Sequence, residues 1–325
     1  MNRLLHIFKL GWAYRIAKSV TLSYPPFQYT LEPTNVCNLN CSFCPQSDPE
    51  HHRRRPHGKL TEENFRLFLH RLKEADPGND KLNLTLDGEP FLNQLTPRFM
   101  ELAAEAGYVT VLATNGTLLD RATTDRLAAG GHFHLSIDFA ADSKIFETIR
   151  ARSGQYDIVL KNLNYLIEKA ADNRNVNLSI NDIASFAGER PETSLKKMRA
   201  LFPVELPSRI KFTSRQFHNF CGHLPAHKTS DRYRVCPYPW TQLAVTWSGD
   251  CVACCRDTAG RTVLGNVFEN PVMAIWNGES YHRFRQNLLD GKPERNAACK
   301  NCDLPYSGGE KRWKIGYVIN SLLGR

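Results

Sequence analysis

Six short runs of β-forming residues recur through the first two thirds of the chain, with amphipathic helical segments between them. The runs are FQYTLEPTN (27–35), LNLTLDG (82–88), VTVLATNG (109–116), FHLSIDFA (133–140), VNLSIND (176–182) and RIKFTS (209–214). Between them Phe65, Leu67, Phe68 and Leu72, and again Leu102, Ala103 and Ala106, fall at helical spacing. Strands alternating with helices bury both in a parallel sheet with the helices outside and right-handed connections. Functional groups of such a sheet collect at the C-terminal strand ends.

Directly after the first run comes CNLNCSFCP (37–45), three thiols within eight residues. The chain holds ten cysteines, an even count that invites disulfides. However, the first twenty residues make a poor export signal, because Lys9, Arg15 and Lys18 interrupt any apolar core. Clustered cysteines in a chain kept in the cytoplasm point to metal or catalysis instead. Tetrahedral zinc favours CxxC pairs, and CxxxCxxC with no local fourth ligand suits it badly. Three thiolates suit a [4Fe–4S] cluster with one open iron. A chance CxxxCxxC is expected only about 0.01 times in a chain of this size. A second CxxC follows at Cys299 and Cys302, after CPYPWTQLAVTWSGDCVACC (236–255), which reads as a Cys–Pro turn and a short hairpin.

Cys37, Cys41, Phe43 and Cys44 resemble the signature of the radical S-adenosylmethionine (SAM) superfamily. Asp87-Gly88-Glu89-Pro90 is similar to that family's GGEP element, departing from it at Asp87. The resemblance implies that the backbone around Gly88 and Glu89 binds the methionine amino group. It also places Asn115, Ser136, Asp138, Arg150 and Asn181 around the SAM ribose and carboxylate. A planar guanidinium suits a carboxylate because it makes two charge-assisted hydrogen bonds. Ser136 and Asp138 read alternatively as strand-end turn residues.

Gly249, Cys254, VLGNV (263–267), AIWN (274–277) and Cys299-Lys300-Asn301-Cys302 resemble the SPASM/twitch auxiliary domain. There Cys236, Cys254, Cys299 and Cys302 would hold one closed [4Fe–4S] cluster, with four-cysteine zinc as the alternative and Cys255 a substitute for Cys254. The resemblance implies an α/β fold: a partial (β/α)6 TIM-like barrel with a small C-terminal iron–sulfur domain. The expected divisions are a basic helical extension (1–24), the barrel (25–222), the auxiliary domain (223–306) and a basic tail (307–325).

The net charge of +9 lies mostly at the ends: Arg3, Lys9, Arg15 and Lys18, then Lys311, Arg312, Lys314 and Arg325, with no acid in 1–24 or 311–325. A nucleic-acid enzyme would spread a basic stripe over its body. Basic ends carrying Trp12, Tyr14, Trp313 and Tyr317 suit a peripheral contact with the inner membrane face or an acidic partner, or else helices docked on the body. Residues 3–20 are apolar nearly all round. The run His51, His52, Arg53, Arg54, Arg55 and His57 reads as a solvated loop, with an anionic-substrate site as the alternative.

The resemblance to the radical SAM superfamily implies an oxygen-sensitive enzyme that uses two [4Fe–4S] clusters, SAM and a flavodoxin- or ferredoxin-type electron donor. It would cleave SAM to a 5′-deoxyadenosyl radical and take hydrogen from a small-molecule substrate, carbohydrate-like or another polyol. Single-auxiliary-cluster relatives with this cysteine spacing resemble aminoglycoside-type dehydrogenases and epimerases. Modification of a ribosomal peptide, or of a lipid-linked substrate at a membrane, are the rival readings. Cys221, after the sixth strand, is the expected catalytic thiol if the reaction is an epimerisation.

Overall fold

A computed structural model describes residues 3–306, apart from 77, 204, 216, 217, 226, 227 and 229, and leaves the side chains of 3, 4, 6 and 7 undescribed. The expected basic tail lies outside the described residues. The elements in chain order are α1 (Arg3–Gly11), β1 (Gln28–Leu31), α2 (Pro49–His52), α3 (Glu62–Ala75), β2 (Lys81–Asn83), α4 (Thr96–Glu105), β3 (Val109–Thr114), α5 (Arg121–Ala129), β4 (Phe133–Phe139), α6 (Ser143–Arg150), α7 (Tyr156–Asp172), β5 (Val176–Asp182), α8 (Pro191–Arg199) and β6 (Ile210–Ser214). There follow α9 (Tyr238–Thr241), β7 (Gln242–Val245), β8 (Asp250–Val252), β9 (Val263–Asn266), α10 (Val272–Trp276) and α11 (Glu279–Leu289). All six expected strands form, and the fold is a partial (β/α)6 barrel. Several stop short of the predicted runs, because the residues beyond them turn away as the loops that carry the site.

The chain divides into two compact units. One takes Leu31–Arg66 and Asp80–Gln216; the other takes the residues up to Thr30, Leu67–Asn79 and those from Phe217 on. In the first, β2 to β6 pair in parallel, each with the next in sequence. Alternate residues of β5 are buried, so Val176, Leu178 and Ile180 enter the apolar core while Asn177, Ser179 and Asn181 line the opposite face. Pairing sets Ser136 beside Ser179, Asp138 beside Asn181, and Asn181 beside Thr213. In the same unit Phe65 and Phe99 are fully buried and stacked on each other at 4.7 Å.

In the second unit β7, β8 and β9 form an antiparallel meander. The N-terminal segment is tied to it. Tyr14 donates to Val235 O and packs edge-on against Trp240, whose indole donates to Ser19 O at 2.8 Å. Asn277 brackets Leu22 through both its backbone groups, at 2.8 and 2.9 Å. Residues 14–24 are thus docked by groups more than two hundred positions away. At the centre Arg285, fully buried, donates to Pro239 O, Val20 O and Trp276 O at 2.7 to 2.9 Å, with its guanidinium 4.4 Å from the Trp276 ring centre. Among the described residues no helix is long and apolar enough to cross a membrane.

Replacing Arg285 by Met strips three buried carbonyls of their donor. The expected cost is about 3–5 kcal/mol, read as a lower urea midpoint by tryptophan fluorescence under anaerobic conditions. An unchanged midpoint would show that this anchor contributes nothing.

Candidate active site

The three cysteines Cys37, Cys41 and Cys44 sit in the loop that leaves β1, shaped by Cys44 N bonding back to Cys41 O and by Ser42 N bonding to Ile149 O, both at 2.9 Å. Burial pushes the Cys37 thiol up to about 12, and burial raises Cys44 as well, with Asp87 adding to the effect. As bare thiolates they would be unstable there; iron supplies the positive charge that makes them ligands. Arg150, 3% exposed at the end of α6, adds a fixed cation: Nη1 donates to Cys41 Sγ at 3.4 Å and Nη2 to Asp138 O. Its buried Nε has no hydrogen-bond partner, leaving one donor for a ligand. The residues present therefore fit a cluster and an anionic group beside it.

The loop after β2 closes over the cysteine loop. Gly88 has φ +67°, and a Cβ there would lie 2.6 Å from the carbonyl oxygens of Thr34 and Val36. Only glycine permits that approach. Glu89 N donates to Val36 O at 2.8 Å, while its buried carboxylate accepts from Asn115 N and Thr114 Oγ1, both at 2.7 Å. Asn115 in turn donates to Asn38 Oδ1 at 2.8 Å, and Asn38 donates to Thr117 Oγ1 at 2.9 Å. The ends of β2 and β3 therefore hold the cysteine loop from two sides. The Glu89 side chain is consumed in this framework.

Asp87 is a second anchor. It is 7% exposed and accepts from Gln46 Nε2 at 2.7 Å, lies 2.7 Å from His51 Nε2 and pairs with Arg55 at 3.5 Å. Arg55 also makes a two-pronged bond to Glu32, both arms at 2.7 Å. This corrects the expected solvated loop: His51 is buried at 4% exposure and Arg55 is half-buried, while Arg53, Arg54 and His57 do face solvent. A buried carboxylate needs such partners, which explains aspartate where glycine is usual.

Ser136, Asp138 and Asn181 come together on the strand ends. Asn181 Nδ2 donates to Ser136 Oγ at 2.8 Å and Asp138 Oδ1 at 3.0 Å, while Asn181 Oδ1 accepts from Thr213 Oγ1 at 2.8 Å. Arg215 completes the group, its Nη1 donating to both Asp138 oxygens at 2.7 and 2.8 Å. Sequence reasoning missed Arg215, although a basic residue directly after β6 stands where the earlier strand ends place their polar groups. Phe43 stacks on Phe186 at 4.5 Å, with the Arg150 and Arg215 guanidiniums 6.0 and 5.9 Å from its centre.

The second unit gathers the remaining thiols. Cys236 and Cys299 are raised by burial and then by neighbouring Cys254, with Cys302 adding to both, so the four expected ligands share one pocket of charge. Arg256, itself buried, lies beside them and pairs with Asp303 at 3.6 Å. A four-iron cluster, which gives each thiolate its own iron, suits the set. Cys255, next to Cys254, is half-buried, and desolvation pushes its thiol up to about 12. Cys251 is fully buried in β8.

Cys221 does not stand as the open thiol expected from sequence. It is 2% exposed, and neighbouring Cys254 and Cys302, together with burial, push its thiol well up. Its φ of +58° is held by Arg261 Nη1 donating to Cys221 O at 2.8 Å and by Asn219 bonding to Asp303 and to Asn301 O.

Asp87→Gly should release the 45–58 segment, costing about 2–4 kcal/mol of anchorage. The reconstituted variant is expected to lose iron from the Cys37/Cys41/Cys44 site to a chelator faster than the unsubstituted protein, while keeping its auxiliary iron. Equal loss rates would contradict the anchoring role.

A family model for the radical SAM superfamily matches residues 31–181, and one for the SPASM iron–sulfur cluster-binding domain matches 236–303. An AdoMet-dependent heme synthase of Methanosarcina barkeri is 28% identical over 148 residues, 45% of this chain and 41% of that protein. An S-adenosyl-L-methionine-dependent 2-deoxy-scyllo-inosamine dehydrogenase of Niallia circulans is 31% identical over 68 residues, 21% of this chain and 27% of that protein. The chain thus aligns with less than half the length of these curated relatives. Among solved structures, BtrN in complex with AdoMet and 2-DOIA is similar with a TM-score of 0.57 at 19% identity, over 87% of this chain and 94% of that one. Native anSMEcpe with bound AdoMet gives 0.59 at 13% identity, over 91% and 98%. Both show the fold. With cysteine loop, strand ends and auxiliary thiols each in place, the chain belongs to the radical SAM superfamily and carries a C-terminal SPASM iron–sulfur domain.

Proposed function

We propose that this radical SAM enzyme oxidises a hydroxyl-bearing carbon of a carbohydrate-like or small polyol substrate. The observation that carries this reading is the auxiliary thiol set. Cys236, Cys254, Cys299 and Cys302 are enough for one cluster, Cys251 is buried in a strand, and Cys221 is buried beside Cys254 and Cys302. One auxiliary cluster supplies a one-electron acceptor, which oxidation needs. Epimerisation instead needs a thiol shown to substrate, and a buried Cys221 is poorly suited to that. The likeness over 68 residues to the inosamine dehydrogenase supports the same reaction class.

Bound at Cys37, Cys41 and Cys44, cluster and SAM supply the 5′-deoxyadenosyl radical that removes hydrogen from carbon. The chain's own residues position SAM. Arg150 offers its unpartnered Nε toward the carboxylate, and Ser136, Asp138 and Asn181 face the ribose. Arg215 balances the Asp138 charge and orients the Asn181 amide. Phe43 excludes water from the cluster edge. Peptide modification is the second reading, supported by 30% identity over 115 residues to the PqqA peptide cyclase of Granulibacter bethesdensis.

The test supplies reduced, reconstituted enzyme with SAM and a panel of aminocyclitols and amino sugars deuterated at each carbinol carbon. The expected result is substrate-dependent 5′-deoxyadenosine carrying that deuterium, and a product short of two hydrogens that Cys221→Ala also makes. Solvent deuterium fixed in a product of unchanged oxidation level would contradict oxidation. Turnover of a peptide but of no polyol would favour the second reading.

A further inference from the structure

The N-terminal helix has two apolar faces, and among the described residues only one of them is covered. Leu10 and Ala13 are buried and Tyr14 is docked, whereas Leu5, Phe8, Trp12 and Ile16 are 47%, 67%, 55% and 64% exposed. These four stand three, four and four residues apart, one continuous stripe along the helix. Trp12–Ile16 winds as a wider π turn, with Ala17 N bonded to Trp12 O at 2.9 Å, which keeps Trp12 and Ile16 in line. The other large exposed apolar side chains among the described residues, Leu95, Ile158, Leu201 and Val263, are scattered singly over separate elements. A contiguous apolar stripe on an otherwise ordinary surface marks a contact site.

Charge selects its occupant. Residues 1–24 contain Arg3, Lys9, Arg15 and Lys18 and no acid, and Arg15 and Lys18 are exposed beside the stripe. A second copy docked through this face would set two such basic segments together. The chain's own tail carries Lys311, Arg312, Lys314 and Arg325 with no acid after Glu310, so it offers this face no opposite charge. An anionic lipid surface complements it. Its headgroups pair with the Lys and Arg side chains, and its acyl boundary accepts Leu, Phe and Ile with Trp at the interface. We propose that Leu5, Phe8, Trp12 and Ile16 form a docking face for an anionic membrane surface, on which the enzyme lies peripherally.

The experiment is co-sedimentation of the full chain with vesicles of phosphatidylglycerol and phosphatidylethanolamine, and with phosphatidylcholine vesicles as control, at low and high salt. The expected result is binding to the anionic vesicles alone, weakened by salt. Phe8→Glu with Ile16→Glu should weaken it at least about tenfold while SAM cleavage persists. Fluorescence should show a blue shift on binding that Trp12→Phe removes. The proposal is overturned by absence of sedimentation, by unchanged sedimentation of the double variant, or by a dimer that this variant dissociates. It is equally overturned if Trp12 is already shielded from an aqueous quencher in the free protein and exposed by deleting 307–325, which assigns the face to the tail. No outcome involves the substrate, so failure here leaves the proposed reaction untouched.

Discussion

The contact on which the site depends is the approach of Gly88 to the carbonyls of Thr34 and Val36. Those two oxygens belong to the loop that presents the cysteines, and a Cβ at 88 would stand 2.6 Å from each. With the glycine in place, Glu89 N bonds to Val36 O, and the Glu89 carboxylate locks onto the end of β3. Three thiols in a loop have no intrinsic reason to point the same way. What gives this loop one shape is the pressure of two neighbouring strand ends, with Asn115 holding Asn38 from a third direction. The same framework removes Glu89 from direct chemistry: its oxygens are already bonded inside the protein.

Electrostatics explains the residues around this frame. Buried thiols resist ionisation, so the site needs positive charge even before iron arrives. Arg150 gives it on one side, against Cys41, and the Asp87, His51 and Arg55 group fixes the segment on the other. Arg215 and Asp138 form a second pair at the ends of β4 and β6. Each charge is matched by a partner from a different strand end, so a loss in one loop is felt in its neighbour.

The six strands were readable from residue order because period-two and helical patterns are local properties. The cysteine signature was readable because its spacing is rare. Other features escaped for identifiable reasons. The His51–His57 run looks solvated to any local rule, since its buried partner Asp87 lies more than thirty residues away. The departure from glycine at 87 was the one hint. Docking of residues 14–24 depends on Trp240, Asn277 and Arg285, none of which has a signal near the N-terminus. Cys221 was placed from strand order alone, which locates a Cα after β6 but says nothing of where the thiol turns. Its backbone is left-handed, Arg261 holds its carbonyl, and the buried thiol lies near Cys254 and Cys302.

The central claim is that two chemically distinct cysteine sets hold two clusters, only one of which meets SAM. Electron paramagnetic resonance of the reconstituted, reduced protein tests it most directly. The account predicts two overlapping cluster signals, of which SAM shifts one and leaves the other unchanged, and only the SAM-sensitive signal disappears in Cys37/Cys41/Cys44→Ala. A spectrum that SAM does not alter, or a SAM-sensitive signal that survives loss of those three cysteines, would contradict it.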